Sequence, residues 1–136
     1  MALSSQAAKV FDALDGAPLV ERDSTGTGVT VRVPVERAAA QMAGHYPGFP
    51  IFPGVLLVDC VRQAAAAALG APLRLCRIDR ARFARPLFEG DELELSLRMT
   101  AGGADGEVAV RARGVRSDGQ LAAELSLTLG AVVADA

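Results

Sequence analysis

Valine stands at every second position from Val29 to Val35, with threonine, arginine and proline between. A period of two puts the valines on one face of an extended chain, so residues 28–35 are expected to form a strand with one buried side. Four more runs have strand character: 73–86, 92–100, 107–116 and 121–129. The links FEGD, AGGADG and SDGQ between them carry the glycine and aspartate of tight turns, which predicts antiparallel neighbours. Residues 18–22, ahead of DSTGTG, are expected to be a first strand. The pattern changes in GVLLVDCVRQAAAAALG, residues 54–70, whose length and alanine content predict a helix ended by Gly70 and Pro72. A short helix over residues 4–14 is also expected, with Val10, Phe11 and Leu14 on one face and Asp15, Gly16 and Pro18 as its stop.

One antiparallel sheet of about six strands and one nearly all-apolar helix make an α+β domain. A helix apolar on most sides belongs inside. The simplest arrangement wraps the sheet around this long, buried, central helix, a hotdog-like fold. No repeat, linker or low-complexity tract divides residues 1–136, so a single domain is expected. The sheet would keep a free edge and an uncovered face, which favours a dimer.

Composition narrows the function. Of the 136 residues 51 % are hydrophobic and only 4 % aromatic, so the core must be aliphatic; the net charge of −2 argues against a nucleic-acid partner. No apolar run is long enough to span a membrane, and no signal peptide is evident at the N-terminus. Two cysteines in apolar segments fit a reduced, cytoplasmic setting and offer no disulfide framework. With one histidine they lack the spacing of a metal site, and no cofactor is expected.

The unusual chemistry sits between residues 45 and 63. His45 is the only histidine, and HYPGFPIFPG surrounds it with Pro47, Pro50 and Pro53. These prolines restrict their own φ and bias the preceding residues toward extended conformations, so the loop is stiff and suits a base held in one place. Gly54 then begins the helix, where unpaired N–H groups and the dipole attract negative charge. Asp59 and Gln63 share a helix face at i, i+4, where the amide is placed to bind the carboxylate. Imidazole, carboxylate and helix N-terminus within fifteen residues make a candidate acid–base site with an oxyanion-binding end. The residues alone leave open a solvent-facing Asp59 and an exposed, inert His45.

The stretch GHYPGFPIFPGVLLVDCVRQ resembles the signature of the 3-hydroxyacyl-[acyl-carrier-protein] dehydratases, roughly GHFPxxPxxPGVLxxEAxxQ. IDRARFARPLFEGDEL resembles the same family's IDKxRFRRPVxPGDxL, and the similarity runs from about residue 18 to 130. The family fold is a hotdog. The resemblance implies that His45 is the catalytic base and Asp59 the acid. It also implies that the backbone amides of Gly54 and Val55 polarise the thioester carbonyl, with Gln63 behind Asp59. It further implies a homodimer whose sites each draw histidine and acid from different subunits, and a phosphopantetheine-bearing acyl carrier protein as partner. Tyr46, Phe49 and Phe83 become candidates for lining the acyl tunnel, or otherwise core. Arg80, Arg82 and Arg85, in a run of five arginines against Asp79, become candidates for docking the acidic carrier.

One departure stands inside the motif. The family usually has small or apolar residues between acid and glutamine, whereas this chain has Cys60, Val61 and Arg62. Arg62 is within helical reach of Asp59 but is expected to point outward to solvent or the carrier. Two other functions compete with dehydration. One is a hotdog thioesterase in which Asp59 activates water; the other is a non-catalytic acyl-chain-binding partner subunit whose acid Arg62 disables.

Overall fold

The computed structural model describes residues 14–38, 54–88 and 90–132. Six antiparallel strands run β1 Asp15–Asp23, β2 Gly26–Pro34, β3 Leu73–Phe83, β4 Glu92–Ala101, β5 Glu107–Arg116 and β6 Leu121–Ala131. One α-helix, α1, spans Gly54–Leu69, and a single 3-10 turn follows β2 at Val35–Ala38. All six expected strands are present, with the largest shifts at two ends. β1 begins at Asp15, taking in residues expected to stop a helix. β3 ends at Phe83 because the next two amides, of Ala84 and Arg85, both turn to the Ala122 carbonyl. The helix expected over 4–14 lies outside the described residues except for Leu14, which is not helical.

The strands lie in the order β1-β2-β4-β5-β6-β3. Helix α1 approaches β1 and β3, the two edges, as well as β2 and β4. Five inter-strand spacings make a flat sheet about 24 Å wide, whereas a helix is about 10 Å across. The sheet therefore has to curl for one helix to meet both edges.

Alternation decides which side faces the helix. The register lines up Val29, Leu97, Ala112, Leu125 and Ala81 in one row, and Val31, Leu95, Gly114, Ala123 and Phe83 in the next. Across β2, β4, β5 and β6 these residues are buried, together with Val33, Leu93, Met99, Val110, Leu127 and Leu129. Against them α1 buries Leu57, Val58, Cys60, Val61, Ala64, Ala65 and Ala68. The five alanines in a row let the helix approach the sheet closely at no cost in helix propensity.

Burial of α1 on most sides is not what a single chain provides. Asp59, Arg62, Gln63 and Ala66 are half-buried, and Ala67 and Leu69 are exposed. Only the sheet side of the 16-residue helix is covered. Leu75, Ile78 and Phe83 of edge strand β3 are also uncovered on the helix-facing side.

The β1–β2 turn shows how local chemistry holds the edge. Asp23 Oδ1 accepts from the backbone N of Thr25 at 2.8 Å, from its hydroxyl at 2.6 Å and from the Gly26 amide at 3.1 Å. Arg98 of β4 donates to the same oxygen at 2.7 Å. Arg98, with those turn bonds, holds the Asp23 carboxyl well below the usual carboxylate range. Gly26 has φ +150°, and a Cβ there would sit 2.4 Å from the Met99 carbonyl oxygen. Backbone cannot move aside as a flexible side chain can. Gly26→Ala is therefore expected to lower unfolding free energy by about 3 kcal/mol in urea denaturation. A change below about 0.5 kcal/mol, the scale of a neutral surface substitution, would show that this turn carries no such constraint.

Candidate active site

Helix α1 starts at Gly54, where a larger residue would have to push the tip of the Phe83 ring aside. The Phe83 ring lies over this residue, with its nearest carbon 2.9 Å from where a Cβ would be. The β3–β6 register explains the placement: Phe83 ends the helix-facing row, opposite Ala123, on a strand with no outer neighbour. It is 51 % exposed in the single chain. Beside it opens a cleft of about 420 Å³ lined by Gly54, Leu57, Phe83, Ala84, Arg85, Pro86, Leu87 and Ala122. The first amides of α1, those of Gly54 and Val55, thus belong to a helix end that opens on an apolar recess.

Asp59 lies about 7.5 Å further along the helix axis. Both of its oxygens are engaged. Gln63 Nε2 donates to Oδ2 at 2.8 Å, the i, i+4 bond expected from the spacing. Arg62 Nε donates to Oδ1 at 2.7 Å, and Arg62 Nη1 reaches the Leu73 carbonyl at 3.3 Å. The expectation that Arg62 points outward is overturned. Its guanidinium folds back because the first residue of β3 presents a carbonyl that only a long, forked donor can span to from the helix. The Arg62 and Asp59 side chains are 28 % and 34 % exposed. On a fully exposed helix an i, i+3 pair contributes about 0.3 kcal/mol; here Gln63 and strand β3 share in it.

Cys60, next to Asp59, points into the core. Burial first, and then the nearby Asp59 charge, push its thiol far above the usual range, so it is no nucleophile.

The arginine run divides. Arg85 stands at the cleft, its guanidinium donating to the Leu121 carbonyl at 3.0 Å. Arg80 and Arg82 instead lie on the outer face of the sheet. There, with Arg111, Arg113, Glu124 and Ser126, they line a groove of about 340 Å³. Arg77 pairs with Asp79, whose carboxyl is held low by that bond and by the Thr128 hydroxyl. The part of Arg111 and Arg113 was missed in the sequence; their i, i+2 spacing on β5 was the signal available. The cleft residues Pro86, Leu87 and Ala122 were also missed, since nothing in their types suggests a site.

His45, Tyr46 and Phe49 lie outside the described residues. Among the described residues no three or more of His, Cys, Asp and Glu come together as a metal site, and no helix is long and apolar enough to cross a membrane.

Residues 21–122 match the ApeI-like family, described as ApeI dehydratase. A relative from Roseobacter denitrificans, the 3-hydroxyacyl-[acyl-carrier-protein] dehydratase FabZ, is 35 % identical over 120 residues, covering 81 % of this chain and 78 % of the relative. The enzyme of the same name from Symbiobacterium thermophilum is 46 % identical over 65 residues, 43 % of this chain and 46 % of that one. Among solved structures, the dehydratase heterocomplex ApeI:P from Xenorhabdus doucetiae superposes with a TM-score of 0.60 at 20 % identity, covering 85 % of this chain and 99 % of the matched chain. At that identity the superposition speaks for the fold alone.

Proposed function

Because this chain belongs to the family of hotdog 3-hydroxyacyl-[acyl-carrier-protein] dehydratases, we propose that it removes water from 3-hydroxyacyl thioesters to give trans-2-enoyl thioesters. The observation that carries the reading is Asp59, held by Gln63 on the α1 face that the sheet leaves uncovered, near a helix N-terminus that opens on an apolar cleft.

Each group then has a task. The His45 imidazole takes the proton α to the thioester. The electron pair moves toward the carbonyl, whose oxygen gains charge that the amides of Gly54 and Val55 stabilise at the positive end of α1. The pair returns to form the carbon–carbon double bond as the β-hydroxyl departs. Asp59 supplies the proton that lets it leave as water. A carboxyl group has about four positions around its two oxygens, one of which carries the proton when the group is an acid. Arg62 and Gln63 use one on each oxygen, so a position remains for the proton that Asp59 gives to the substrate. Phe83, with Tyr46 and Phe49, lines the acyl chain's path, and no metal or redox cofactor enters the elimination.

The substrate arrives on the phosphopantetheine of an acidic acyl carrier protein, in fatty-acid or polyketide assembly in the cytoplasm. Arg85 at the cleft receives it, and Arg80 and Arg82 on the outer face add a separate cationic groove for the same acidic partner. Two copies make the working unit. The bare helix side of α1 and the uncovered Leu75, Ile78 and Phe83 of β3 favour a second subunit, which would complete the burial of the central helix. Histidine and acid of each site then come from different copies.

The Arg62–Asp59 ion pair favours one competing reading, a non-catalytic acyl-chain-binding subunit. Incubation with a 3-hydroxyacyl carrier thioester, followed by mass analysis, separates the two. Loss of one water is the expected result. An unchanged thioester would establish the binder, and free acid would establish a thioesterase.

A further inference from the structure

We propose that Arg62 is a positioning residue of the elimination site, clamping the Asp59 carboxyl group between helix α1 and strand β3. The inference rests on the dehydratase reading and adds a residue to it. Three contacts carry it. Arg62 Nε holds Oδ1 at 2.7 Å, Gln63 Nε2 holds Oδ2 at 2.8 Å, and Arg62 Nη1 is itself anchored on the Leu73 carbonyl at 3.3 Å.

An aspartate held through one oxygen can still turn about its Cβ–Cγ bond. Held through both oxygens by donors from successive residues, it cannot turn without breaking a bond. Gln63 belongs to the same helix turn as Asp59, so it registers the carboxylate only against α1. Arg62 spans to the first residue of β3, the strand whose far end carries Phe83 at the cleft. The arginine thus sets the acid relative to the strand that borders the substrate's path. A reacting group displaced by about 1 Å can lose a factor of about one hundred in rate. Lysine would not replace it. Its single nitrogen offers one point, whereas the guanidinium addresses carboxylate and carbonyl through different nitrogens.

The test is steady-state turnover of a 3-hydroxyacyl carrier thioester by wild type, Arg62→Gln and Arg62→Lys, each checked by thermal melting. Arg62→Gln is expected to lower kcat about 10- to 100-fold with KM within about 2-fold, since Arg62 does not line the acyl cleft. Millimolar guanidinium is expected to restore part of that rate by occupying the vacated site beside Asp59, which a purely structural loss would not allow. Arg62→Lys, which keeps the charge, is expected to melt like wild type and fall between the two. It serves as the reading if the glutamine variant does not fold. Unchanged or raised kcat in the folded variants overturns the inference, as does a loss that guanidinium leaves untouched. A wild type that dehydrates nothing overturns the dehydratase reading, and the inference with it.

Discussion

His45→Ala is expected to lower kcat for dehydration about a thousand-fold while leaving the melting temperature unchanged. Removing the α-proton of a thioester needs a base that is neutral and positioned at working pH, and the chain holds a single imidazole. General acid–base catalysis contributes about 10² to 10⁴ in rate, which sets the scale. KM is expected to move little, because the base meets the reacting carbon and not the acyl chain or the carrier. The same variant tests the composite site. Mixed with an Asp59-deficient partner and allowed to exchange subunits, it is expected to recover about a quarter of wild-type activity. Half of the dimers would be hybrid, and one of the two sites in each would be intact. No recovery despite verified hybrid dimers would place base and acid on the same subunit. An activity within a few-fold of wild type in His45→Ala alone would remove the base assignment.

Much of the fold was legible because the sheet is half-buried and its alternation is clean. Val29, Val31 and Val33, and Leu93, Leu95 and Leu97, each line one face, and the register pairs them across β2 and β4. β3 was harder to bound. As an edge strand it alternates less strictly, carries bulges beside Arg77 and Arg80, and shows apolar Leu75 and Ile78 uncovered in the single chain. Its end depends on the Ala122 carbonyl of another strand, a contact that local sequence does not encode. The helix was legible as a helix, yet its alanine-rich composition overstated its burial. Alanine fits a buried seam and an exposed face equally well, and Ala67 is exposed while Ala64 and Ala65 are not.

For the site, helical spacing predicted the Asp59–Gln63 bond, because i, i+4 partners on one helix need no knowledge of the rest of the fold. Arg62 was misjudged for the opposite reason. Its direction is set by Leu73, eleven residues away on β3, whose carbonyl draws the guanidinium inward. The arginine run likewise looked like one patch, and the alternation of β3 with its bulges sends Arg80 and Arg82 to the outer face while Arg85 stays at the cleft.

Asp59→Asn is the second substitution expected to cost about a thousand-fold in kcat. The change is nearly isosteric and asks one question, whether an ionisable oxygen is needed at that point. Asparagine keeps a single acceptor oxygen where the carboxylate offered two, so it can satisfy either Arg62 Nε or Gln63 Nε2 but not both. Its NH₂ then faces the other donor, which favours a shifted rotamer as well as removing the proton to be given. Because Asp59 is half-buried, the unpaired donor can still find water, and a cost of only about 1 kcal/mol in stability is expected. Asp59→Glu separates the two effects: it restores an ionisable group but adds one methylene to its reach. It is expected to recover turnover above Asp59→Asn while remaining below wild type, since the clamp of Arg62 and Gln63 is spaced for the shorter side chain. The decisive measurement is kcat of the three proteins on one 3-hydroxyacyl carrier thioester. Asparagine within a few-fold of aspartate would mean that the leaving hydroxyl takes its proton elsewhere, and Asp59 would then be a partner for Arg62 and Gln63 on α1 and no acid at all.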